Sequence, residues 1–455
     1  MSKKVARSPG PRLRGLFTTP AGLLALALLT VELVAGVQTY VTSTVTPLAA
    51  ADLHGQSLYG FAQGANQVGM FLTLPLGAYL AERFSRSRLL LVFTGVAIVG
   101  AVIGAAAPSM GWYAAGRGVT GLASGALATI AMNLVATSLP SAWRRFVLAG
   151  YAGTWVMTSL VGPVYAAWIS ALVGWRWTMI LYLPVLVAAR FLVAGRIPMS
   201  TAGDAPEGRL KVRESVGLAI GIALVSATGV PWMPRLAIAL VGAATVLFAT
   251  RSLLPPGTFT MRRGRPAAVA LLGILTGVYF GASAVIAIVG HDGFGLDSAG
   301  IGLLLTLGGL GWAITGILCG RRPSPDDHGL VMRVRCGAAL LGVSLVLVAL
   351  APLTADSAVS LGILFVGWSA AGVGMGLCYL ELLNRIVSQP RCEDGITAAQ
   401  AASAAVIVEM ITTALATTAT ASAVSAGAAT TVVYAALALG AALLAVLAVW
   451  ALRRV

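Results

Sequence analysis

Long apolar runs recur along almost the entire chain, and they constrain the fold more than any other feature. From Leu23 to the C-terminus, runs of about 18 or more mainly apolar residues follow one another, each able to cross roughly 30 Å of hydrocarbon as an α-helix. Only 10% of the 455 residues are charged. The pattern predicts an all-α, multi-pass membrane protein and excludes a soluble enzyme or a disordered chain.

Fourteen of these runs are long enough to span a bilayer. Their approximate bounds are 21–47, 57–81, 89–107, 112–138, 146–173, 177–195, 214–230, 236–254, 266–290, 298–319, 332–353, 357–386, 396–421 and 427–451. When the N-terminus is placed in the cytoplasm, almost every Lys and Arg falls in a loop on that same side, with Arg176 and Arg235 as outer exceptions. The positive-inside rule therefore predicts that both termini are cytoplasmic.

The spans fall into groups of six, two and six, separated by basic loops. This grouping divides the chain into six parts. They are a basic cytoplasmic tail at 1–20, a six-helix bundle at 21–195, a cytoplasmic loop at 196–213, an inserted transmembrane hairpin at 214–254, a second cytoplasmic loop at 255–265 and a six-helix bundle at 266–455. Two six-helix bundles are typical of duplicated transporter halves around a central site.

The composition argues against enzymes, cofactor-binding proteins and nucleic-acid-binding proteins. The net charge of +15 sits in short loops between apolar runs, so it indicates membrane topology and the lipid bilayer as partner, with no nucleic acid. None of the three lysines lies in a phosphate-binding loop. The histidines and the four cysteines lack metal-ligand spacing, so we expect no metal, no cofactor and free thiols.

Two acidic residues, Glu32 and Glu409, are predicted near the middle of the bilayer. Placing an ionisable side chain there costs on the order of 3 kcal/mol on insertion scales, so a functional role is the first hypothesis. Desolvation favours the neutral acid, and a carboxyl group whose access to water changes can therefore take up and release a proton. We predict that both residues couple proton movement to substrate movement, with a buried structural partnership as the alternative.

Polar side chains on the first span form a stripe at helical spacing. The stripe comprises Glu32, Gly36, Thr39, Ser43 and Thr46, with Gln38 and Thr42 beside it. Such a stripe predicts the lining of a cavity, although Ser and Thr could instead bond back to the helix backbone. With polar and aromatic residues of other spans, it gives a set of candidate substrate-cavity residues. They are Gln38, Thr39, Tyr40, Thr42, Ser43, Tyr59, Gln63, Asn66, Trp155 and Tyr279.

One further charged pair, Glu381 and Arg385, lies near the predicted cytoplasmic end of a span. Residues four apart face the same side of a helix. The spacing therefore predicts an ion pair within one helix.

Four segments carry recognisable motifs: AYLAERFSRSR, RGVTGLASG, GTWVMTSLVGPVYAA and GITAAQAASAAVIVEMITTALATT. Together they resemble the major facilitator superfamily, and within it the fourteen-helix drug:proton antiporters of actinobacteria. The resemblance implies a major facilitator fold of two six-helix bundles plus a two-helix insertion. It also implies a multi-pass protein of the bacterial inner membrane.

The loop AYLAERFSRSR is similar to the superfamily signature G-x-L-a-D-r-x-G-r-r. It carries Glu82 for the aspartate, and Ala78 and Ser85 for the two glycines. The resemblance implies that Glu82, with Arg83 and Arg86, forms a conformational latch on the cytoplasmic side of the outward-facing state.

Two other motifs imply roles for single residues. RGVTGLASG is similar to the fourth-helix pattern R-x-x-x-G, which places Arg117 in a role associated with proton coupling and puts Gly121 and Gly125 at a tight helix contact. GTWVMTSLVGPVYAA is similar to the antiporter signature of the fifth helix, with Gly162 and Pro163 as its Gly-Pro pair.

These features predict a secondary transporter that exports hydrophobic or amphipathic compounds, as multidrug efflux proteins do, in antiport with protons. Three alternatives stay open: an exporter of a cell-envelope lipid or glycolipid, a nutrient importer, and a degenerate transporter that serves as an accessory subunit of envelope assembly. Gln38 keeps the accessory role open, because many such antiporters carry an aspartate at this place in the first helix.

Overall fold

The computed structural model is helical over most of the chain. The described residues are 15–55, 58–195, 211–225, 232–288, 290, 294–296, 298–322, 324, 326–351, 357–388, 396–425 and 440. Apart from residue 440, the predicted fourteenth span at 427–451 lies outside the described residues. So do most of the predicted tail at 1–20 and most of the predicted loop at 196–213.

We number the helices of the described residues in chain order. They are α1 (Gly15–Thr18), α2 (Pro20–Asp52), α3 (Tyr59–Arg83), α4 (Arg86–Ala105), α5 (Met110–Ser138), α6 (Ser141–Val173), α7 (Trp175–Thr178), α8 (Leu183–Ala194), α9 (Val212–Val225), α10 (Trp232–Leu253), α11 (Arg265–Ile288), α12 (Ser298–Arg321), α13 (Asp327–Leu350), α14 (Ser357–Ser388) and α15 (Ala398–Ser425). Nine helical segments in this part of the chain are long and apolar enough to cross a membrane. The all-α, multi-pass architecture predicted from the sequence is therefore confirmed.

The span predicted at 177–195 is interrupted. Gly174, with φ of +89°, adopts a conformation that favours glycine and ends α6. Pro184 lies in the first turn of α8, where the missing N–H of proline removes no helical hydrogen bond. A turn at 179–182 therefore separates the short helix α7 from α8.

Glycines bring α3 and α5 into backbone contact. A Cβ atom added at Gly121 would lie 2.1 Å from the carbonyl oxygen of Asn66, and one added at Gly125 would lie 2.1 Å from that of Met70. Helices in a membrane associate through close packing of small residues, because lipid offers no hydrophobic driving force between them. The α3–α5 contact therefore depends on these two glycines, at the positions that the RGVTGLASG motif implied.

We call helices α2–α8 the N-terminal bundle and helices α11–α15 the C-terminal bundle; the α9–α10 pair packs beside the N-terminal bundle. A Cβ atom added at Gly221 of α9 would lie 2.8 Å from the carbonyl oxygen of Gly242 of α10, so these two helices also meet at small residues. Helix α9 packs along α3 and contacts α15 as well. The pair therefore touches both bundles.

The two bundles contact one another through α6 and α12, and through α15 with α3 and α5. The α6–α12 contact is close near the arginine-rich loops. A Cβ atom added at Gly320 would lie 2.9 Å from the Cβ atom of Ala149 and 3.7 Å from the carbonyl oxygen of Arg145. Further along the two helices, Val156 packs with Ala313. The bundles therefore meet on the arginine-rich side of the protein.

Asp52, the last residue of α2, ties this helix to α7. Its Oδ2 accepts hydrogen bonds from Arg176 Nη1 at 2.7 Å and from Trp175 Nε1 at 3.1 Å. The Arg176 guanidinium also lies 4.3 Å from the ring centroid of Trp175. These hydrogen bonds, that from Arg176 first, lower the pKa of Asp52 below its usual range. Arg176, an exception to the positive-inside pattern, thus has a carboxylate partner.

We expect Asp52→Asn to lower the melting temperature at neutral pH but not in acid. Because the folded-state pKa lies below the usual value of 3.8, the stabilisation is present above that value and is lost as the pH falls through the folded-state pKa. The side chains of Asp52 and Arg176 are both nearly half exposed, so the loss of stability is small and is screened by salt. Melting curves of the wild type and of Asp52→Asn in detergent at several pH values test this. A difference in melting temperature that persists in strong acid contradicts it.

Glu381 pairs with the facing helix α13 and not with its neighbour on α14. Its Oε1 accepts hydrogen bonds from Arg333 Nη1 at 2.6 Å and from Ser324 Oγ at 2.9 Å. Arg385 instead pairs with Asp327 at 3.3 Å. The intrahelical pair predicted for Glu381 and Arg385 is therefore wrong. The buried Glu381 carboxylate pairs with Arg333, which is partly shielded from water, whereas the Asp327 carboxylate that pairs with Arg385 is exposed.

Glu381→Gln should lower the free energy of unfolding by about 3 kcal/mol, because it leaves the Arg333 guanidinium without its countercharge. This is the lower end of the range for a buried pair, since 28% of the Arg333 side chain is exposed. Asp327→Asn is the matched control, with a side chain 79% exposed and an expected cost below about 1 kcal/mol. Thermal unfolding in detergent measures both, and equal losses would contradict the difference in burial.

Candidate functional site

Glu32 and Glu409 lie at similar depths in the two bundles. Glu32 is the twelfth residue after Pro20 at the start of α2, and Glu409 is the eleventh after Ala398 at the start of α15. At 1.5 Å per residue, each lies roughly 17 Å along its helix, near the middle of a bilayer whose core is about 30 Å thick. Both side chains are partly exposed. The two acids thus belong to different bundles and to a similar level of the membrane.

Polar groups of α6 and α8 surround the carboxylate of Glu32. The Trp155 indole on α6 lies close to it, and the Arg190 guanidinium on α8 lies within electrostatic range of it. Tyr151 lies within electrostatic range of both charges. Arg190 is 5% exposed, and its Nε has no hydrogen-bond partner among the described residues. Arg190 is thus a buried cation with a carboxylate close by.

Glu409 has a tyrosine as its partner. The Tyr379 hydroxyl on α14 donates a hydrogen bond to Glu409 Oε2 at 3.0 Å. Glu32, from the N-terminal bundle, lies within electrostatic range of Glu409 and Tyr379 of the C-terminal bundle. We call these six residues the interbundle cluster. They are Glu32, Tyr151, Trp155, Arg190, Tyr379 and Glu409.

The interbundle cluster borders an open space between the helices. Trp155 is 46% exposed although its indole lies close to Glu32. At 100° per residue, Trp155 projects roughly 180° away from Val164, which is 62% exposed on the opposite face of α6. The exposed surface of Trp155 therefore faces the interior of the protein, on the same side as Glu32.

Aromatic side chains of the C-terminal bundle stand next to Glu409. The Tyr279 ring stacks on Trp368 with centroids 5.1 Å apart, and the Trp312 ring meets Tyr279 at 5.3 Å and Tyr379 at 5.1 Å in edge contacts. Tyr279, predicted to line the cavity, is buried against Trp368. Trp312 is partly exposed, so it presents an aromatic surface beside the Tyr379–Glu409 pair.

Arg117, predicted to take part in proton coupling, lies inside the N-terminal bundle between α2 and α5. Its Nη1 donates a hydrogen bond to Thr42 Oγ1 at 2.9 Å, and the residue is 7% exposed. One turn further along α2, Thr46 Oγ1 and the Tyr113 hydroxyl are 2.9 Å apart. Tyr113 and Tyr182 lie within electrostatic range of Arg117. The predicted stripe on α2 therefore covers two faces, with Thr42 and Thr46 directed toward α5.

The other predicted cavity residues lie in different surroundings. Gln38 is partly buried, and Thr39 is exposed with its hydroxyl bonded back to the backbone of α2. The Asn66 amide donates to the backbone carbonyl of Arg117 at 3.1 Å, and Gly162 is buried in α6. The side chains of five predicted residues lie outside the described part of the chain. They are Tyr40, Ser43, Tyr59, Gln63 and Pro163.

The predicted latch loop joins α3, which ends at Arg83, to α4, which begins at Arg86. Arg83 is exposed, and its Nη1 donates a hydrogen bond to the Tyr79 hydroxyl at 3.0 Å. Glu82 and Arg86 are partly buried. All three charged residues lie at the arginine-rich end of the N-terminal bundle, the side on which the bundles meet.

Three residues of the interbundle cluster were not predicted from the sequence: Arg190, Tyr151 and Tyr379. Arg190 lies four residues before the end of α8, where an arginine ordinarily extends toward the membrane surface. Its one available signal is that it is the only charged residue within the predicted span 177–195. The two tyrosines carry no such signal, because single tyrosines are common in membrane helices.

Comparison with known proteins agrees with this architecture. The profile described as Major Facilitator Superfamily matches residues 28–391. A crystal structure of a bacterial homologue of the iron transporter ferroportin, in the outward-facing state, aligns with a TM-score of 0.67 and 16% identity over 95% of this chain and 100% of that one. The human organic anion transporter MFSD10 aligns with a TM-score of 0.64 and 17% identity over 96% and 100%. At such identities the likeness establishes the fold alone.

Relatives with similar sequence match a shorter stretch. Efflux pump FUS6 of Gibberella moniliformis is 28% identical over 188 residues, which cover 40% of this chain and 33% of the relative. Multidrug export protein EmrB of Haemophilus influenzae is 28% identical over 167 residues, which cover 35% of this chain and 33% of the relative. The chain thus spans about a third of the length of the curated relatives it matches.

Proposed function

Because the chain belongs to the major facilitator superfamily, whose profile matches residues 28–391, we propose that it exports hydrophobic or amphipathic compounds in antiport with protons. The observation that carries this proposal is the interbundle cluster, to which each bundle contributes one carboxyl group, Glu32 and Glu409. Relatives named as an efflux pump and as a multidrug export protein support export over import.

Movement of the two bundles would change the surroundings of both carboxyl groups together. In the present arrangement Trp155 lies close to Glu32, and Tyr379 donates a hydrogen bond to Glu409. Rocking of one bundle against the other alters the separation of α2 from α15 and the access of water between them. A carboxyl group takes up a proton where water is scarce and releases it where water is abundant. The interbundle cluster is therefore suited to proton-coupled alternating access.

The space beside the interbundle cluster suits an amphipathic molecule. Trp155 and Trp312 offer aromatic surfaces next to Glu32 and Glu409, respectively. Small-molecule sites are mainly apolar and contain a few converging polar groups that orient the ligand. This combination supports hydrophobic or amphipathic compounds, lipid-like ones included, as the substrate class.

We place the arginine-rich side, with both termini, in the cytoplasm of a bacterial cell whose inner membrane the protein spans. The contact of Gly320 with Ala149 then closes the cytoplasmic side, and the described arrangement opens outward. Glu82, Arg83 and Arg86 lie on that closed side and act as its latch.

Ethidium accumulation in an efflux-deficient bacterial host tests the proposal. Cells that express the protein should accumulate less ethidium than cells with an empty vector, and a protonophore should abolish the difference. If a broad panel of dyes and antibiotics gives no response while the protein is present in the membrane, drug export is wrong. If a response survives the protonophore, proton coupling is wrong.

A further inference from the structure

We propose that Trp155 and Trp312 form a clamp that binds a flat aromatic ring of the substrate between the two bundles. The inference rests on the proposed function, because it narrows the hydrophobic or amphipathic substrates to compounds that contain such a ring. It starts from the positions of the two indoles beside the contact between α6 and α12.

Trp155 points into the space between the bundles from α6. On one side of it, Val156 packs with Ala313 of α12. On the other side, a Cβ atom added at Gly36 of α2 would lie 2.8 Å from Thr158 Oγ1. At 100° per residue, Trp155 lies about 100° from Val156 and about 60° from Thr158, so it projects between these two contacts. The 46% of Trp155 that is exposed therefore faces the interior of the protein and not lipid.

Trp312 points into the same space from α12. A Cβ atom added at Gly309 would lie 3.2 Å from Val156 Cγ2, and Trp312 lies about 60° around the helix from Gly309. The exposed side chains of Leu303 and Ile314 lie about 160–180° around α12 from Trp312, on the opposite face of the helix. The exposed part of Trp312 thus faces the interior as well.

The two indoles lie at a similar level of the membrane. A Cβ atom added at Gly320 of α12 would lie 2.9 Å from the Cβ atom of Ala149 of α6, which marks where the two helices meet on the arginine-rich side. At 1.5 Å per residue, Trp155 lies about 9 Å and Trp312 about 12 Å along their helices from this contact. Each bundle therefore contributes one indole just beyond the point at which the bundles meet.

Neighbouring aromatic rings hold Trp312 in place. Its ring centroid lies 5.3 Å from that of Tyr279, 5.9 Å from that of Phe280 and 5.1 Å from that of Tyr379. The three pairs are edge contacts, with angles of 61–79° between the ring planes. A side chain that is already ordered loses little freedom when a ligand binds to it. Trp312 is therefore a preorganised surface for a second ring.

Two exposed indoles favour an aromatic ligand over an aliphatic one. Aromatic rings gain from offset stacking or edge contacts beyond the area that they bury, whereas an acyl chain gains from the buried area alone. The Tyr379 hydroxyl, bonded to Glu409 Oε2 at 3.0 Å, places a polar pair at the edge of the clamp. Because the two indoles belong to different bundles, movement of the bundles would open the clamp and release the ring.

Binding of two cations to the purified full-length protein tests this proposal. Ethidium carries its charge on a flat aromatic ring system, whereas tetrabutylammonium carries the same charge on aliphatic chains. Fluorescence anisotropy gives the Kd of ethidium, and isothermal titration calorimetry gives that of tetrabutylammonium. Trp155→Leu and Trp312→Leu should each raise the Kd of ethidium by about five- to tenfold and change that of tetrabutylammonium by less than about twofold.

Two further variants separate stacking from other effects. Trp168→Leu replaces a tryptophan of the same helix that is 72% exposed and lies on the face of α6 away from Trp155, so the Kd of ethidium should not change. Trp155→Phe keeps an aromatic ring but loses the indole N–H. It should retain most of the affinity for ethidium if stacking carries the binding.

The outcomes decide between the clamp and other modes of binding. Unchanged affinity for ethidium in either folded leucine variant overturns the proposal, and so does equal weakening for both cations or a wild type that does not bind ethidium. If Trp312→Leu does not fold, Trp155→Leu decides alone. If the expected affinities are found but no ethidium is exported, the proposed function fails while the clamp stands. Proton-driven export that neither leucine substitution changes would reverse that conclusion.

Discussion

Glu409→Gln abolishes proton-driven export while the protein remains folded and in the membrane. Glutamine keeps the volume of the side chain and can still accept a hydrogen bond from the Tyr379 hydroxyl, but it cannot carry a proton. Because a carboxyl group in the membrane interior is retained for its ionisation, we expect ethidium efflux to fall by about tenfold or more. Efflux from pre-loaded cells, normalised to the amount of protein in the membrane, measures this.

Glu214→Gln is the matched control for this experiment. Glu214 lies in the first turn of α9, and the same change of acid to amide there removes a carboxylate outside the interbundle cluster. Efflux by Glu214→Gln should equal that of the wild type. If Glu409→Gln exports ethidium at the wild-type rate and a protonophore still stops it, Glu409 does not carry the coupling proton.

Gly121→Ala disrupts the N-terminal bundle. The added Cβ atom would lie 2.1 Å from the carbonyl oxygen of Asn66, and the atoms it meets belong to the backbone of α3, which cannot move aside as a flexible side chain can. Overpacking of a close contact costs about 1–3 kcal/mol and more where backbone is displaced. We expect a large loss of folded protein after mild heating, measured by size-exclusion chromatography in detergent.

Gly118→Ala, three residues earlier on the same helix, controls for the general effect of replacing glycine. A Cβ atom added at Gly118 would lie 3.7 Å from the carbonyl oxygen of Ala65, an ordinary contact distance. Alanine also favours helix over glycine by about 1 kcal/mol in soluble peptides, so Gly118→Ala should be at least as stable as the wild type. Equal loss in both variants would mean that the α3–α5 contact is not the cause.

The positions of the long helices could be predicted from the sequence, because length and apolar composition decide where a chain can cross a bilayer. The interruption of the helix before α8 was harder to predict from the sequence, since it depends on the combination of Gly174 and Pro184 rather than on hydropathy. Glu32 and Glu409 were also identified from the sequence, because an acid within an apolar run is costly wherever its helix packs.

The partners of these acids could not be predicted, because they depend on which faces of separate helices meet. Glu381 illustrates this point: helical spacing indicated Arg385, but packing of α13 against α14 brings Arg333 to it instead. The same limit applies to the polar stripe of α2, whose residue Thr42 faces Arg117 of α5 while Glu32 faces α6. Periodicity along one helix identifies a face but does not identify its neighbour.

Proton movement caused by substrate is the most direct test of the central claim. Everted membrane vesicles that contain the protein are energised to a fixed pH gradient, reported by an acridine dye, and tetraphenylphosphonium or ethidium is then added. If substrate is exchanged for protons through the interbundle cluster, addition should discharge part of the gradient in wild-type vesicles and leave it unchanged in Glu409→Gln vesicles. A gradient unaffected by either compound in wild-type vesicles that demonstrably transport them, or an equal discharge by Glu409→Gln, would contradict the account.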